Sequence, residues 1–133
     1  MSNLDTKTKQ ILLDSFGKNL ISDVRDVALS ISMGIVKQTT MNQNDLERYR
    51  VFSELTVEEK EKVCDLLSET ITDTIYRFLE MFEEHEELME INLICDESKY
   101  DMKQISEKMG SEVVCCGNEG WIQRFSKIGR FVL

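Results

Sequence analysis

A chain of 133 residues, 41% apolar and 31% charged, has the composition of one globular domain that can bury a core without staples. Sixteen bases against twenty-five acids leave a net charge of −9, which excludes a nucleic-acid or anionic-membrane binder working through bulk charge. The absence of proline removes collagen-like and polyproline architectures, and a single histidine removes most histidine-centred metal and triad chemistry.

Thr6 is placed to cap a short helix with Ile11, Leu12 and Phe16 as apolar positions and Gly17 as its stop. A second helix is expected from about Leu20 to Lys37, where Leu20, Val24, Val27, Ala28, Ile31 and Ile35 recur at steps of three and four. Leu29, Met33 and Val36 add another apolar side, which predicts burial over more than half its circumference. Gly34 within it costs about 1 kcal/mol of helix propensity relative to alanine, and a closely passing backbone would account for it. Thr39 to Asn44 reads as a loop, with Asn44 capping a short helix through Leu46, Tyr49 and Phe52.

Thr56 and Glu59 have capping-box spacing. Behind them Val63, Leu66, Leu67, Ile71, Ile75, Phe78, Leu79 and Phe82 share one face of a helix expected from about Val57 to Glu84. Val63, Leu67, Ile71, Ile75, Phe78 and Phe82 are its expected core positions. From Met89 the period becomes two, as Met89, Ile91 and Leu93 alternate with Glu90, Asn92 and Ile94. Asp96-Glu97-Ser98-Lys99 supplies turn residues, and Tyr100 and Met102 begin a return strand, giving a short hairpin near 89–104. Ile105, Met109 and the stop at Gly110 mark one or two helical turns. Val113 to Cys116 reads as extended, and Trp121, Ile122, Phe125 and Ile128 predict a closing helix from Glu119 to Ile128 that packs on the long one. The expected fold is mainly α with a small β part, one domain over residues 1–133 built round a long central helix.

Thirteen of the acids fall between Glu54 and Glu90, opposed there by Lys60, Lys62 and Arg77 alone. Asp65, Glu69, Asp73, Glu80, Glu84 and Glu87 are expected along the face opposite the apolar stripe. One account is a solvated helix face. The other is a surface for a basic partner, because like-charged pairs such as Glu69/Asp73, Glu80/Glu84 and Glu83/Glu87 each destabilise a helix by about 0.2–0.5 kcal/mol. The pattern leaves both open.

Catalytic constellations are missing. Glu83-Glu84-His85-Glu86-Glu87 matches the EExxE of helical Mg²⁺-dependent pyrophosphohydrolases, but no ExxD follows, since Glu97 precedes Tyr100 and Glu107 precedes Gly110 at that spacing. Di-iron ExxH pairs, glycine-rich phosphate loops and GxSxG elbows do not occur. His85, in a run of glutamates, reads as a surface residue, and Met33, Met81 and Met109 read as core filler. No enzymatic activity, cofactor or metal requirement is expected. Cys64, Cys95, Cys115 and Cys116 have neither disulfide-framework nor zinc spacing, and a ring closed between the vicinal pair would be strained. Reduced thiols, the lack of a signal peptide and the lack of a membrane-length apolar run lead us to expect a cytoplasmic protein.

The segment Glu119-Gly120-Trp121-Ile122-Gln123-Arg124-Phe125-Ser126-Lys127 resembles closing segments of small bacterial immunity proteins, the antidotes encoded beside polymorphic toxins, including those of contact-dependent growth inhibition. The resemblance implies a cytosolic inhibitor that neutralises a cognate toxin domain by stoichiometric binding, without contacting nucleic acid or membrane itself. These families share a strategy more than a fold, so no contact residues carry over. The basic residues Arg124, Lys127 and Arg130 are expected to complement a helix C-terminus or the acidic helix. The reading set against it is an acidic helical adaptor, or a phage-type nucleic-acid mimic, docking on a basic housekeeping protein.

Overall fold

The computed structural model describes residues 5–106, 108–114 and 120–128. The chain opens on one continuous helical run, with no break at Gly17. Asp5, not Thr6, is the cap, its carboxylate accepting from the Thr8 N–H at 2.6 Å. Helix α1 (Thr6–Asn19) passes through a π-helical turn (Leu20–Arg25) into α2 (Asp26–Val36). In that turn the Asp26 N–H donates to the carbonyl of Ile21, five residues back.

The wide turn has a geometric consequence. Leu13, Gly17, Ile21, Arg25 and Leu29 are all buried, at a constant step of four. In a pure α-helix a four-residue step drifts by about 40° each time, so five such positions could not share one face. The π turn holds more residues per revolution and brings the drift back. The same rotation leaves Val24, Val27 and Ile31 about half exposed, contrary to the expected burial of that side. Gly17 is needed for contact, not termination. A Cβ there would lie 2.4 Å from the Trp121 ring.

The run ends at Lys37, where Gln38 adopts φ 60° and the N–H groups of Gln38 and Thr39 donate back to Ile35 and Gly34. This double bond pattern closes the helix C-terminus. The backbone near Gly34 is therefore its own turn. A Cβ at Gly34 would meet Thr39 and Thr40 at 3.9 Å, ordinary contact, so nothing there demands glycine. Asn42, not Asn44, caps α3 (Gln43–Arg48), accepting from the N–H groups of Asn44 and Asp45, and a 3-10 turn (Arg50–Glu54) follows.

Helix α4 (Val57–Glu84) has the expected bounds, and its Thr56/Glu59 capping box is formed in both directions, at 3.1 and 2.8 Å. The first helical run lies antiparallel along it: Lys37 pairs with Glu61 at 3.1 Å, and Arg25 reaches Ser68 and Thr72 farther on. The inward face of α4 differs from expectation. Its buried line is Cys64, Ser68, Ile75 and Leu79, while Val63, Leu67, Ile71 and Phe82 flank it half-buried. Phe78 is 51% exposed and meets Phe82 in a T-shaped ring contact, with centroids 5.2 Å apart. Leu66 is exposed as well. The larger apolar side chains flank a narrow line that includes small residues, so the weight of hydrophobicity points to one side of it.

A two-stranded antiparallel hairpin follows, β1 (Asn92–Cys95) and β2 (Ser98–Asp101), in the register Leu93↔Tyr100 and Cys95↔Ser98. Its turn places Asp96 at φ 50° and Glu97 at φ 68°, the two positive angles that match a two-residue turn to the twist of the strands. Ile91 and Leu93 pack on the core and Ile94 faces out. Short helices α5 (Met102–Ile105), α6 (Met109–Val113) and α7 (Trp121–Phe125) follow. Gly110 lies inside α6 and does not stop it, and Val113 is helical, not extended. Cys115, Cys116, Glu119 and Arg130 lie outside the described residues.

Helix α7 is shorter than expected and packs chiefly on α1, the π turn and α6. Trp121, fully enclosed, meets Phe16 edge-on at 5.7 Å and joins Leu13, Ile21, Ile75, Leu79, Met102 and Met109 in one core. Of the three methionines read as filler, Met109 is buried, Met33 half-buried and Met81 exposed. Among the described residues no helix is long and apolar enough to cross a membrane.

Candidate protein-binding face

Five of the six acidic residues singled out above share one flank of α4. Asp65, Glu69 and Asp73 are spaced by four, Asp73 and Glu80 by seven, and Glu80 and Glu84 by four, so they follow one side of the helix over about 29 Å. Glu87 departs from this line because α4 ends at Glu84, and the chain is already in a turn with His85 as the cap. For the same reason Glu83 and Glu87 are not a helical i,i+4 pair, and the EExxE run does not lie on one helix.

Exposure grades the flank. Glu69, Asp73, Glu84 and Glu87 are exposed, whereas Asp65 and Glu80 are half-buried. Asp73 accepts from Nε of Arg77 at 2.8 Å, and this bond holds the Arg77 guanidinium above its ordinary pKa. The flank is thus acidic with one cation woven in. Tyr76, three residues after Asp73 and four before Glu80, sits within it. The nearby Glu80 carboxylate pushes its phenol pKa up, with the Glu83 charge adding to the same direction.

The inward side of α4 carries polar residues of another kind. Arg25, fully enclosed at the end of the π turn, donates through Nη2 to Ser68 Oγ at 3.2 Å and through Nε to Thr72 Oγ1 at 3.4 Å. Its Nη1 donates to Asp26 Oδ1 at 2.8 Å and to Ser126 Oγ at 2.9 Å. Asp26 also accepts from the Ser126 hydroxyl at 2.9 Å and from the Lys127 N–H at 2.8 Å. Burial pushes the Arg25 guanidinium below its ordinary pKa while the Asp26 bond and charge pull it back up. This network ties the first helical run, α4 and the C-terminal segment together.

Of the basic residues of the C-terminal segment, Arg124 pairs with α1. Arg124 bonds Asp14 of α1 at 3.0 Å and lies 4.6 Å over the Phe125 ring, and the Lys127 backbone caps Asp26. Asp14, also bonded by Gln10 at 2.8 Å, is held below the usual carboxylate pKa, first by the Arg124 hydrogen bond. Among the described residues no group of three or more His, Cys, Asp or Glu is arranged to hold a metal ion.

Sequence reasoning missed two features. Arg25 and Asp26 interrupt an apolar helix as adjacent opposite charges, a signal of a buried pair that periodicity of apolar residues passes over. Tyr76 was legible from its place inside the acidic spacing. No family model, curated protein or solved structure matches this chain.

Proposed function

We propose that this chain is an immunity-type inhibitor that neutralises a cognate toxin domain, of the basic nuclease kind, by stoichiometric protein–protein binding. The observation that carries the reading is the acidic flank of α4. Asp65, Glu69, Asp73, Glu80 and Glu84 line a single rigid helix, with Glu87 just past its end. Carboxylates at this density offer a phosphate-binding cleft the charge it is built to meet, and the flank is comparable in length to roughly eight base-pair steps. The likeness of the Glu119–Lys127 segment to the closing segments of immunity proteins supports the same reading. The inhibitor acts by occupancy, in the cytoplasm, without chemistry, cofactor or membrane contact of its own.

The test is co-expression with the C-terminal domain of the protein encoded immediately upstream, scored for complex formation and cell survival. The expected complex associates more slowly as salt rises from about 50 to 500 mM, because exposed charges steer encounter and salt screens them. Asp73→Asn with Glu80→Gln lowers the association rate. A complex indifferent to salt and to both substitutions overturns the acidic face as the interface. A gene with no toxin-bearing neighbour favours the acidic adaptor or nucleic-acid mimic.

A further inference from the structure

Helices α4 and α6 pack together closely, yet a cleft of about 310 Å³ opens along their outer edge. Its walls are Glu69, Thr72, Asp73 and Tyr76 from α4 and Val113 and Val114 opposite. The inner part is apolar and firm: Val113 is fully enclosed, and the Tyr76 ring rests on Gly110, where a Cβ would come within 2.9 Å of Cε2. Tyr76 is 41% exposed, so its ring, backed by Gly110, keeps area open to the cleft. Thr72 is fixed from beneath by Arg25. The outer rim is two exposed carboxylates one helical turn apart, Glu69 and Asp73.

An apolar trough with an aromatic wall and a double-carboxylate rim fits a side chain with an aliphatic stem and a cationic head. Of the two candidates, guanidinium is the better match, because it is planar, stacks on aromatic rings and bonds carboxylates in a fork, whereas ammonium is a strongly hydrated point charge. Asp73 already bonds a guanidinium in this molecule, that of Arg77.

We propose that this cleft seats one arginine side chain of the basic partner, with its stem on Val114 and Tyr76 and its head between Glu69 and Asp73. The assignment rests on the reading of the acidic flank as the interface and adds to it a specific anchoring point.

The probe is N-acetyl-arginine methylamide, with its citrulline and lysine counterparts, titrated into ¹⁵N-labelled protein and followed by amide shifts. The arginine compound is expected to move Thr72, Asp73, Tyr76 and Val113 together and saturably, the lysine compound less, and the neutral citrulline compound not at all. Tyr76→Leu should weaken arginine binding about two- to fivefold, the range of an exposed cation–π contact, while Tyr76→Phe keeps the ring and stays close to the parent. Retained amide dispersion in both variants shows that they fold. Scattered or unsaturable shifts, equal response to citrulline, or no effect of Tyr76→Leu overturns the cleft. The toxin complex separates the two claims. If Tyr76→Leu leaves it intact while Asp73→Asn with Glu80→Gln weakens it, the cleft fails and the acidic face stands. If neither change matters, both fail.

Discussion

Ser68 and Thr72 face inward from α4, and the residues directly after them, Glu69 and Asp73, face outward. The inner pair accepts from a fully enclosed guanidinium whose other acceptors are the neighbouring Asp26 and Ser126 of the C-terminal segment. The outer pair meets water and, on our reading, a partner. One helix therefore uses neighbouring polar residues for two purposes. The difference lies in what replaces water: inside, fixed hydrogen bonds that hold the fold; outside, the exposed Arg77–Asp73 bond and otherwise solvent until a complementary surface arrives.

The largest expected effect comes from breaking the inner set. Arg25→Ala removes the donor to Ser68, Thr72, Ser126 and Asp26 at once and leaves Asp26, 8% exposed, as an uncompensated charge. Losing one member of a buried pair costs about 3–5 kcal/mol, and chemical denaturation of the variant should show a loss of that size. A loss under about 1 kcal/mol would mean that water reaches the site and the network is not a structural tie.

A second comparison sits on one turn of the same helix. Leu79→Ala empties a fully enclosed site and should cost about 2–5 kcal/mol. Phe78→Ala removes a side chain that is half in water and should cost about 1 kcal/mol, even though phenylalanine is the larger residue. Equal losses from parallel melts would put the inward face back on the Phe78 side.

That pair also shows what the sequence makes legible. The long helix, its capping box, the hairpin and the mainly α class follow from local rules: side-chain caps, turn residues and changes of period. Which face turns inward does not, because Phe78 and Leu66 carry the apolar weight while Cys64 and Ser68 take the enclosed positions. Gly17 reads locally as a stop, and only the tertiary contact with Trp121 gives its reason. The step-of-four burial through Gly17 and Arg25 depends on a π turn that no local propensity announces. The acidic flank was legible as a charge pattern, and Glu87 fell off it because helix ends are set by the turn that follows. Tyr76 falls within the acidic spacing, but the cleft beside it needs α6 in place, so no reading of α4 alone contains that cleft.

Between the enclosed Arg25 set and the exposed flank stands an intermediate case, the Arg124–Asp14 pair, whose side chains are 34% and 32% exposed. It links the C-terminal segment to α1, and its value should fall between the two extremes. Its folded-state carboxyl pKa lies below the ordinary 3.8, so the unfolded chain binds the proton more readily. The pair's contribution is therefore fully present above about pH 4 and is lost as pH falls through the lowered folded value. Partial exposure and salt screening hold it to about 0.5 kcal/mol at neutral pH. Asp14→Asn should lower stability by that amount at pH 7. The gap to the parent should close as both proteins are taken toward about pH 2, where the parent's own carboxyl is protonated. A gap that persists unchanged in acid would assign the effect to the Gln10 hydrogen bond or to packing, and the C-terminal segment would then be held by Asp26 and the Trp121 contact instead.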